Sequence, residues 1–101
     1  MVTAQQGDIL NVSGIAYPAL VVSNNFFNTS GKVIVCPILS AAEEGPLHIK
    51  IAAGTVSGYA LCEQVRYLDL GARHFSKSAQ VDYFTVMDIS DAVMGMFDYQ
   101  E

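Results

Sequence analysis

The 101-residue chain reads as a mainly β protein with a helical C-terminal end: a small, strongly curved antiparallel barrel of five to seven short strands, then one long helix. Three observations predict this. Apolar runs of strand length are separated by turn residues rich in Ser, Gly, Asn and Pro. The run Lys32–Leu39 is almost continuously apolar, as a strand buried on both faces requires. From Asp82 onward the apolar spacing changes to that of a helix. No repeat, linker or low-complexity tract interrupts the pattern, so one domain over residues 1–101 is expected.

The elements follow in order. Gly7–Val12 and Ile15–Ser23 are the first two strand candidates, with Ser13-Gly14 between them as a tight two-residue turn. Pro18 has no N–H to donate, so it marks an edge position or a bulge. Residues 24–28 suit a single helical turn capped by Ser23 or Asn24. Thr29-Ser30-Gly31 is turn chemistry, and Lys32–Leu39 is the third strand. Ser40–Pro46 is a loop. In Leu47–Ile51 the alternation turns Leu47, Ile49 and Ile51 inward and leaves His48 and Lys50 outside. Ala52–Gly58 reads as a turn region and Tyr59–Val65 as the fifth strand, which Arg66–Leu70 continues or follows as a sixth. The helix is expected near 82–97, with Asp82 as N-cap and Phe84, Met87, Val93, Met94 and Phe97 as its packing stripe.

Composition narrows the function. The chain is 51% hydrophobic and 15% charged, against about 25% charged for an average soluble domain. That much apolar surface on so small a body implies a patch shared with a partner, most simply a second copy in a homodimer. No apolar run approaches the roughly 20 residues that cross a bilayer, and the N-terminal residues carry no export signal. A cytoplasmic protein without membrane contact is expected. Cys36 and Cys62 lie inside apolar runs and read as reduced core cysteines; no metal site and no cofactor are implied. The net charge of −5 sits entirely in residues 82–101, where Asp82, Asp88, Asp91, Asp98 and Glu101 meet no cation. The rest is neutral, so long-range attraction to a nucleic acid backbone is weak. Lys32, Lys50, Arg66, Arg73 and Lys77 are the only cations available for a local patch.

Two blocks carry a resemblance. Tyr17–Ser40 reads YPALVVSNNFFNTSGKVIVCPILS, and Glu63–Asp69 reads EQVRYLD, followed by Gly71, Ala72 and Arg73. In that order they resemble the MazF/PemK toxin family over roughly Gly7 to Arg73. The resemblance implies an SH3-like barrel, a homodimer that buries its helices and one barrel edge, an antitoxin protein as partner, and metal-independent cleavage of single-stranded RNA. In that chemistry the ribose 2′-hydroxyl attacks its own phosphodiester. It needs a general base, a general acid and a positive charge on the phosphorane.

The family usually supplies these with an Arg before the Pro of the second strand and a Thr closing the third. Here Tyr17 precedes Pro18, and the Thr position is Leu39, with Ser40 as the neighbouring hydroxyl. A further Arg found in some members corresponds to Leu61, and the long first loop is reduced to Ser13-Gly14. Losing one such charge donor costs about 2.7–4 kcal/mol of transition-state stabilisation, and a tyrosine brings no positive charge in its place. The remaining catalytic candidates are Ser40, Glu63 and Arg66; the candidates for RNA contact are Tyr17, Gln64 and Arg66. Arg66 is suited to bidentate phosphate binding or, alternatively, to an ion pair with Asp69 or Glu63. His48 and His74 have the right chemistry for acid–base work but stand alone in sequence. Phe26 and Phe27 suit base stacking, core packing or dimer packing.

Three functional readings follow: a toxin-family endoribonuclease with unusual residues, a catalytically inactive relative that binds protein or nucleic acid, and a gyrase poison of the related CcdB type. The last fits least, because such toxins end in an aromatic-rich tail and this chain ends in the acidic Phe97-Asp98-Tyr99-Gln100-Glu101.

Overall fold

Strand β3 (Lys32–Leu39) organises the molecule. In the computed structural model, which describes residues 4–97, it pairs with three other strands. One edge takes β2 (Ala19–Val21), from Ala19↔Pro37 to Val21↔Val35. The other edge takes β6 (Arg66–Asp69) over its first half and β5 (Val56–Leu61) at its end. Beyond these lie β1 (Asp8–Val12), β4 (His48–Ala53) and β7 (Phe75–Gln80). The order is β4-β5-β3-β2-β1-β7, all antiparallel, with β6 also paired to β3. The result is a curled, barrel-like sheet closed at one side by the C-terminal helix α2 (Tyr83–Gly95).

Alternation explains why β3 is apolar from Val33 to Leu39. Val33 and Val35 face one cluster with Leu10, Val12, Ala19, Val21, Leu68 and Leu70. Cys36 and Ile38 face the other, with Ile9, Leu20, Ile51, Ala60 and Ile89 of α2. Each side chain parity thus has its own buried layer. The polar motif after β2 has a structural task. Asn24 caps the one-turn helix α1 (Asn25–Asn28), accepting from Phe27 N at 2.9 Å. Ser23 accepts instead from Ile34 N of β3 at 2.9 Å and hydrogen-bonds buried Asn28.

Several sequence expectations are corrected. The Ser13-Gly14 turn forms, with Ile15 N bonded to Val12 O, but β1 and β2 pair only from Leu10↔Ala19 inward. Val12 pairs with Phe75 of β7, and Pro18 cannot extend the ladder, so the first loop runs Ser13–Pro18. Residues 52–58 are not a loop region: β4 and β5 join through Gly54-Thr55, a two-residue hairpin with Gly54 at φ +60°. The expected strand Tyr59–Val65 ends at Leu61 in the 3₁₀ turn Cys62–Gln64, and β6 is a separate strand. Strand β7 is not among the expected strands, because its sequence FSKSAQ is mostly polar; it is an edge strand, mostly exposed. Its Lys77 lies 3.0 Å from the buried carboxylate of Asp8.

The helix begins as predicted, Asp82 accepting from Thr85 N at 2.8 Å. Its packed face keeps only Val93 of the expected stripe. Val86, Ile89, Ala92 and Val93 meet the sheet, whereas Phe84, Met87, Met94 and Phe97 are exposed. Apolar spacing identifies both faces of such a helix but not which one the barrel takes; the shorter β-branched side chains fit closest to the sheet. The acidic tail from Asp98 to Glu101 lies outside the described residues.

Candidate functional site

The pairing of β2 with β3 brings Tyr17 and Leu39, the two positions at which the sequence reading expects a replaced motif residue, to the same place. Ile38 N donates to Pro18 O at 2.9 Å, so Tyr17 and Pro18 stand beside Leu39 and Ser40. The β4–β5 hairpin completes an open groove of about 400 Å³, with Thr55, Val56 and Ser57 on its far wall. Gly58 allows this closure: a Cβ there would lie 2.5 Å from the Leu39 carbonyl oxygen. Four hydroxyl-bearing residues (Tyr17, Ser40, Thr55, Ser57) line the groove together with the apolar Pro18, Ile38, Leu39 and Val56. None of its lining residues is charged. Such a surface can stack a planar group and exchange neutral hydrogen bonds, but it offers no counter-charge to an anion. Thr55 and Ser57 are not among the sequence candidates, because the sequence over the hairpin that presents them reads as a turn region.

Glu63 lies elsewhere. It belongs to the 3₁₀ turn after β5, and its Oε2 is 2.8 Å from Nε2 of His48, whose partner in the ladder is Leu61. The other His48 nitrogen, Nδ1, meets the Glu43 carbonyl oxygen. With an acceptor at each nitrogen, the ring is best satisfied as the doubly protonated imidazolium. The bond to Glu63 is the main cause that raises the His48 pKa, and the Glu43 carbonyl adds to it. The same bond to His48 depresses the Glu63 carboxyl below its ordinary range. A depressed, ion-paired carboxylate is a poor proton acceptor. The pair instead ties the loop after Ser40 to the turn after β5.

Arg66 stands on β6 opposite Val35, four positions before Leu39 along β3, roughly 13 Å away at about 3.3 Å per residue. It is exposed and does not pair with either expected partner. Glu63 is taken by His48, and Asp69 accepts from Gly71 N at 3.0 Å. Gln64 is exposed in the same 3₁₀ turn as Glu63. The candidates therefore divide into three places: Tyr17 and Ser40 in the groove, Glu63 and Gln64 at the turn, Arg66 on β6. Of the other cations, Arg73 reaches Ser13 O at 3.4 Å and Lys77 is held by Asp8. Cys36 and Cys62 are free, buried thiols. Among the described residues no group of three His, Cys, Asp or Glu side chains is placed to hold a metal ion. No described helix is long and apolar enough to cross a membrane.

Solved structures share this arrangement of strands and helix. A chain of the MazE–MazF crystal structure (Form-I) from Deinococcus radiodurans superposes with a TM-score of 0.86 at 23% identity, covering 96% of this chain and 98% of that one. An endoribonuclease from Mycobacterial species gives 0.82 at 19% identity, over 96% and 93% of the two chains. Toxin MazF-mt6 of Mycobacterium tuberculosis gives 0.75 at 12% identity, over 94% and 99%. At these identities the likeness is one of fold. No curated protein sequence matches significantly. The family model described as "PemK-like, MazF-like toxin of type II toxin-antitoxin system" matches residues 11–97. With nearly the whole barrel and the C-terminal helix inside that match, the chain belongs to the PemK-like, MazF-like toxin family of type II toxin–antitoxin systems.

Proposed function

We propose that this chain, as one barrel domain, is the toxin-type component of a cytoplasmic toxin–antitoxin pair that has lost metal-independent RNA cleavage and acts by binding. The observation that carries this reading is the uncharged lining of the groove where Tyr17, Leu39 and Ser40 meet. A phosphorane formed there would find hydroxyls but no cation, and Glu63 and Arg66 belong to other parts of the surface. The partners that fit are a second copy of the chain and an antitoxin protein. The latter is supported by the MazE–MazF complex and by the Mycobacterial endoribonuclease solved with its cognate antitoxin. RNA contact through Tyr17, Gln64 and Arg66 is weak, because few phosphates can be neutralised.

The test is a long structured RNA incubated with the purified protein in EDTA, with new 5′ ends sequenced. No reproducible cut is expected. Changing Tyr17→Arg together with Leu39→Thr is expected to leave the protein inactive, because the loop Ser13–Pro18 is short and uncharged. A second reading, an endoribonuclease with a rewired site, is favoured by one observation: Ser40 places a hydroxyl in the groove beside the altered Thr position. Cuts at one short motif, abolished by Ser40→Ala or Arg66→Ala, would establish that reading and overturn the first.

A further inference from the structure

Two thiols face each other inside the barrel, and the chemistry of the groove uses neither. Cys36 of β3 and Cys62, the first residue of the 3₁₀ turn after β5, are free, fully buried and in the same apolar cluster. Strand register explains why they meet. β3 pairs with β5 at Leu39↔Tyr59 and Ile38↔Ala60. Two residues further in that antiparallel register, Cys36 falls opposite Cys62. Alternation puts Cys36 on the side of Ile38 and Cys62 on the side of Ala60, and all four share one cluster.

The backbone makes this the closer kind of cross-strand pair. Ile38 N donates to Pro18 O, and Cys36 pairs with Leu20 in the same ladder, so the main-chain groups of Cys36 point toward β2. Cys62 N donates to Leu47 O, toward β4. The two cysteines therefore turn their main-chain groups away from each other. That is the geometry of a non-hydrogen-bonded pair, whose Cα atoms lie about 4.5 Å apart. A disulfide spans Cα atoms about 4.4–6.8 Å apart, so this pair can close without moving a strand. The thiols also interact directly. The hydrogen bond between them raises the pKa of Cys36 and lowers that of Cys62. Cys62 is thus the readier thiolate, and Cys36 keeps its proton.

We propose that Cys36 and Cys62 form a redox modification site, a resting dithiol that a peroxide converts reversibly to an intrachain disulfide. The Cys62 thiolate attacks one peroxide oxygen, the O–O bond breaks, and the other oxygen leaves as hydroxide, which takes up the Cys62 proton to become water. The Cys36 sulfur then attacks the sulfur of the Cys62 sulfenic acid. The S–S bond forms, the S–O bond breaks, and the oxygen leaves as a second water with the Cys36 proton. The two sulfurs together lose two electrons and the peroxide gains two. The disulfide closes a covalent ring over residues 36–62. That ring holds the edge hairpin β4–β5 and the groove residues Ile38, Leu39, Ser40, Thr55, Val56 and Ser57. Oxidation thus ties the far wall of the groove to β3. Both sulfurs are buried, so local opening of the 3₁₀ turn admits the oxidant and sets the rate. The site is independent of whether the groove cleaves or binds RNA.

The test exposes the purified, reduced chain to hydrogen peroxide for several hours, then blocks remaining thiols in denaturant. Trypsin cuts after Lys32, Lys50 and Arg66, so Cys36 and Cys62 fall on separate peptides, 33–50 and 51–66, neither of which contains a methionine that peroxide could alter. The expected product is these two peptides joined and lighter by two hydrogens, from a chain that runs as a single copy on a denaturing, non-reducing gel. Dithiothreitol should release both thiols. Amide exchange across β4 and β5 should be slower in the oxidised protein and return to its original rate on reduction. Cys36→Ser lacks the second thiol and should instead accumulate a sulfenic acid on Cys62, trapped by dimedone. Two thiols that still alkylate fully after peroxide would overturn the proposal. So would a disulfide that links two chains, or a wild type that reaches the same Cys62 product as Cys36→Ser. If Cys36→Ser fails to fold, the joined wild-type peptides and their release by dithiothreitol decide.

Discussion

Replacing Gly58 by alanine tests how the groove is built. Gly58 has φ +147°, a region alanine rarely adopts, and its Cβ would stand 2.5 Å from the Leu39 carbonyl oxygen, 2.8 Å from its carbon and 3.1 Å from Ser40 Cα. All three are backbone atoms and cannot swing aside. Restoring an ordinary contact of 3.4 Å requires β5 and the end of β3 to part by 3.4 − 2.5, or about 0.9 Å. Overpacking of this kind costs about 1–3 kcal/mol, and the unfavourable backbone region roughly 1–3 kcal/mol more. The sum, about 2–6 kcal/mol, is a large part of the 5–15 kcal/mol typical of a small domain. With a urea slope of about 2 kcal/mol/M, the unfolding midpoint should fall by about 1–3 M at fixed protein concentration. Gly45→Ala is the control: nothing lies within 4 Å of its Cβ, and a change within about 0.5 kcal/mol is expected. If both variants unfold at the wild-type midpoint, the close approach of β5 to Leu39 is not what shapes the groove.

Two further outcomes are expected. The His48–Glu63 pair should contribute stability between two limits. The raised His48 pKa makes its contribution full below the ordinary value of about 6.5 and lost as pH rises through the elevated one; the depressed Glu63 pKa makes its contribution full above the ordinary carboxyl value and lost as pH falls through the lowered one. Urea midpoints of wild type and Glu63→Gln should therefore differ most at intermediate pH and converge at both extremes; a difference constant with pH would contradict the pairing. Ile89→Ala removes the most buried side chain of α2, at 2% exposure, and should cost about 2–5 kcal/mol by equilibrium unfolding. A loss under about 1 kcal/mol would mean that the helix is not docked through Ile89.

What the sequence by itself determined was local or periodic. The apolar run Lys32–Leu39 announced a strand buried on both faces, and the two core layers on either side of β3 are the reason it reads so. The cap at Asp82 was legible, and that of the first helix was narrowed to Ser23 or Asn24, because a cap is a contact between residues three apart. The family was legible because its motifs run along the chain in order. Tertiary structure alone decided which of these residues share a place. Glu63 and Arg66 stand close in sequence to one another and far from Tyr17, yet neither lines the groove, while Thr55 and Ser57 do. Strand β7 escaped notice because an edge strand needs only one apolar side, and its Lys77 answers a carboxylate almost seventy residues away. The helix shows the same division. Periodicity gave a single packing stripe of Phe84, Met87, Val93, Met94 and Phe97, but only the barrel's shape assigned Val86, Ile89 and Val93 to the sheet and left Phe84, Met87, Met94 and Phe97 outside. Local contacts are written in the order of residues. Contacts between distant segments depend on strand register and chain path, which a list of side chains does not contain.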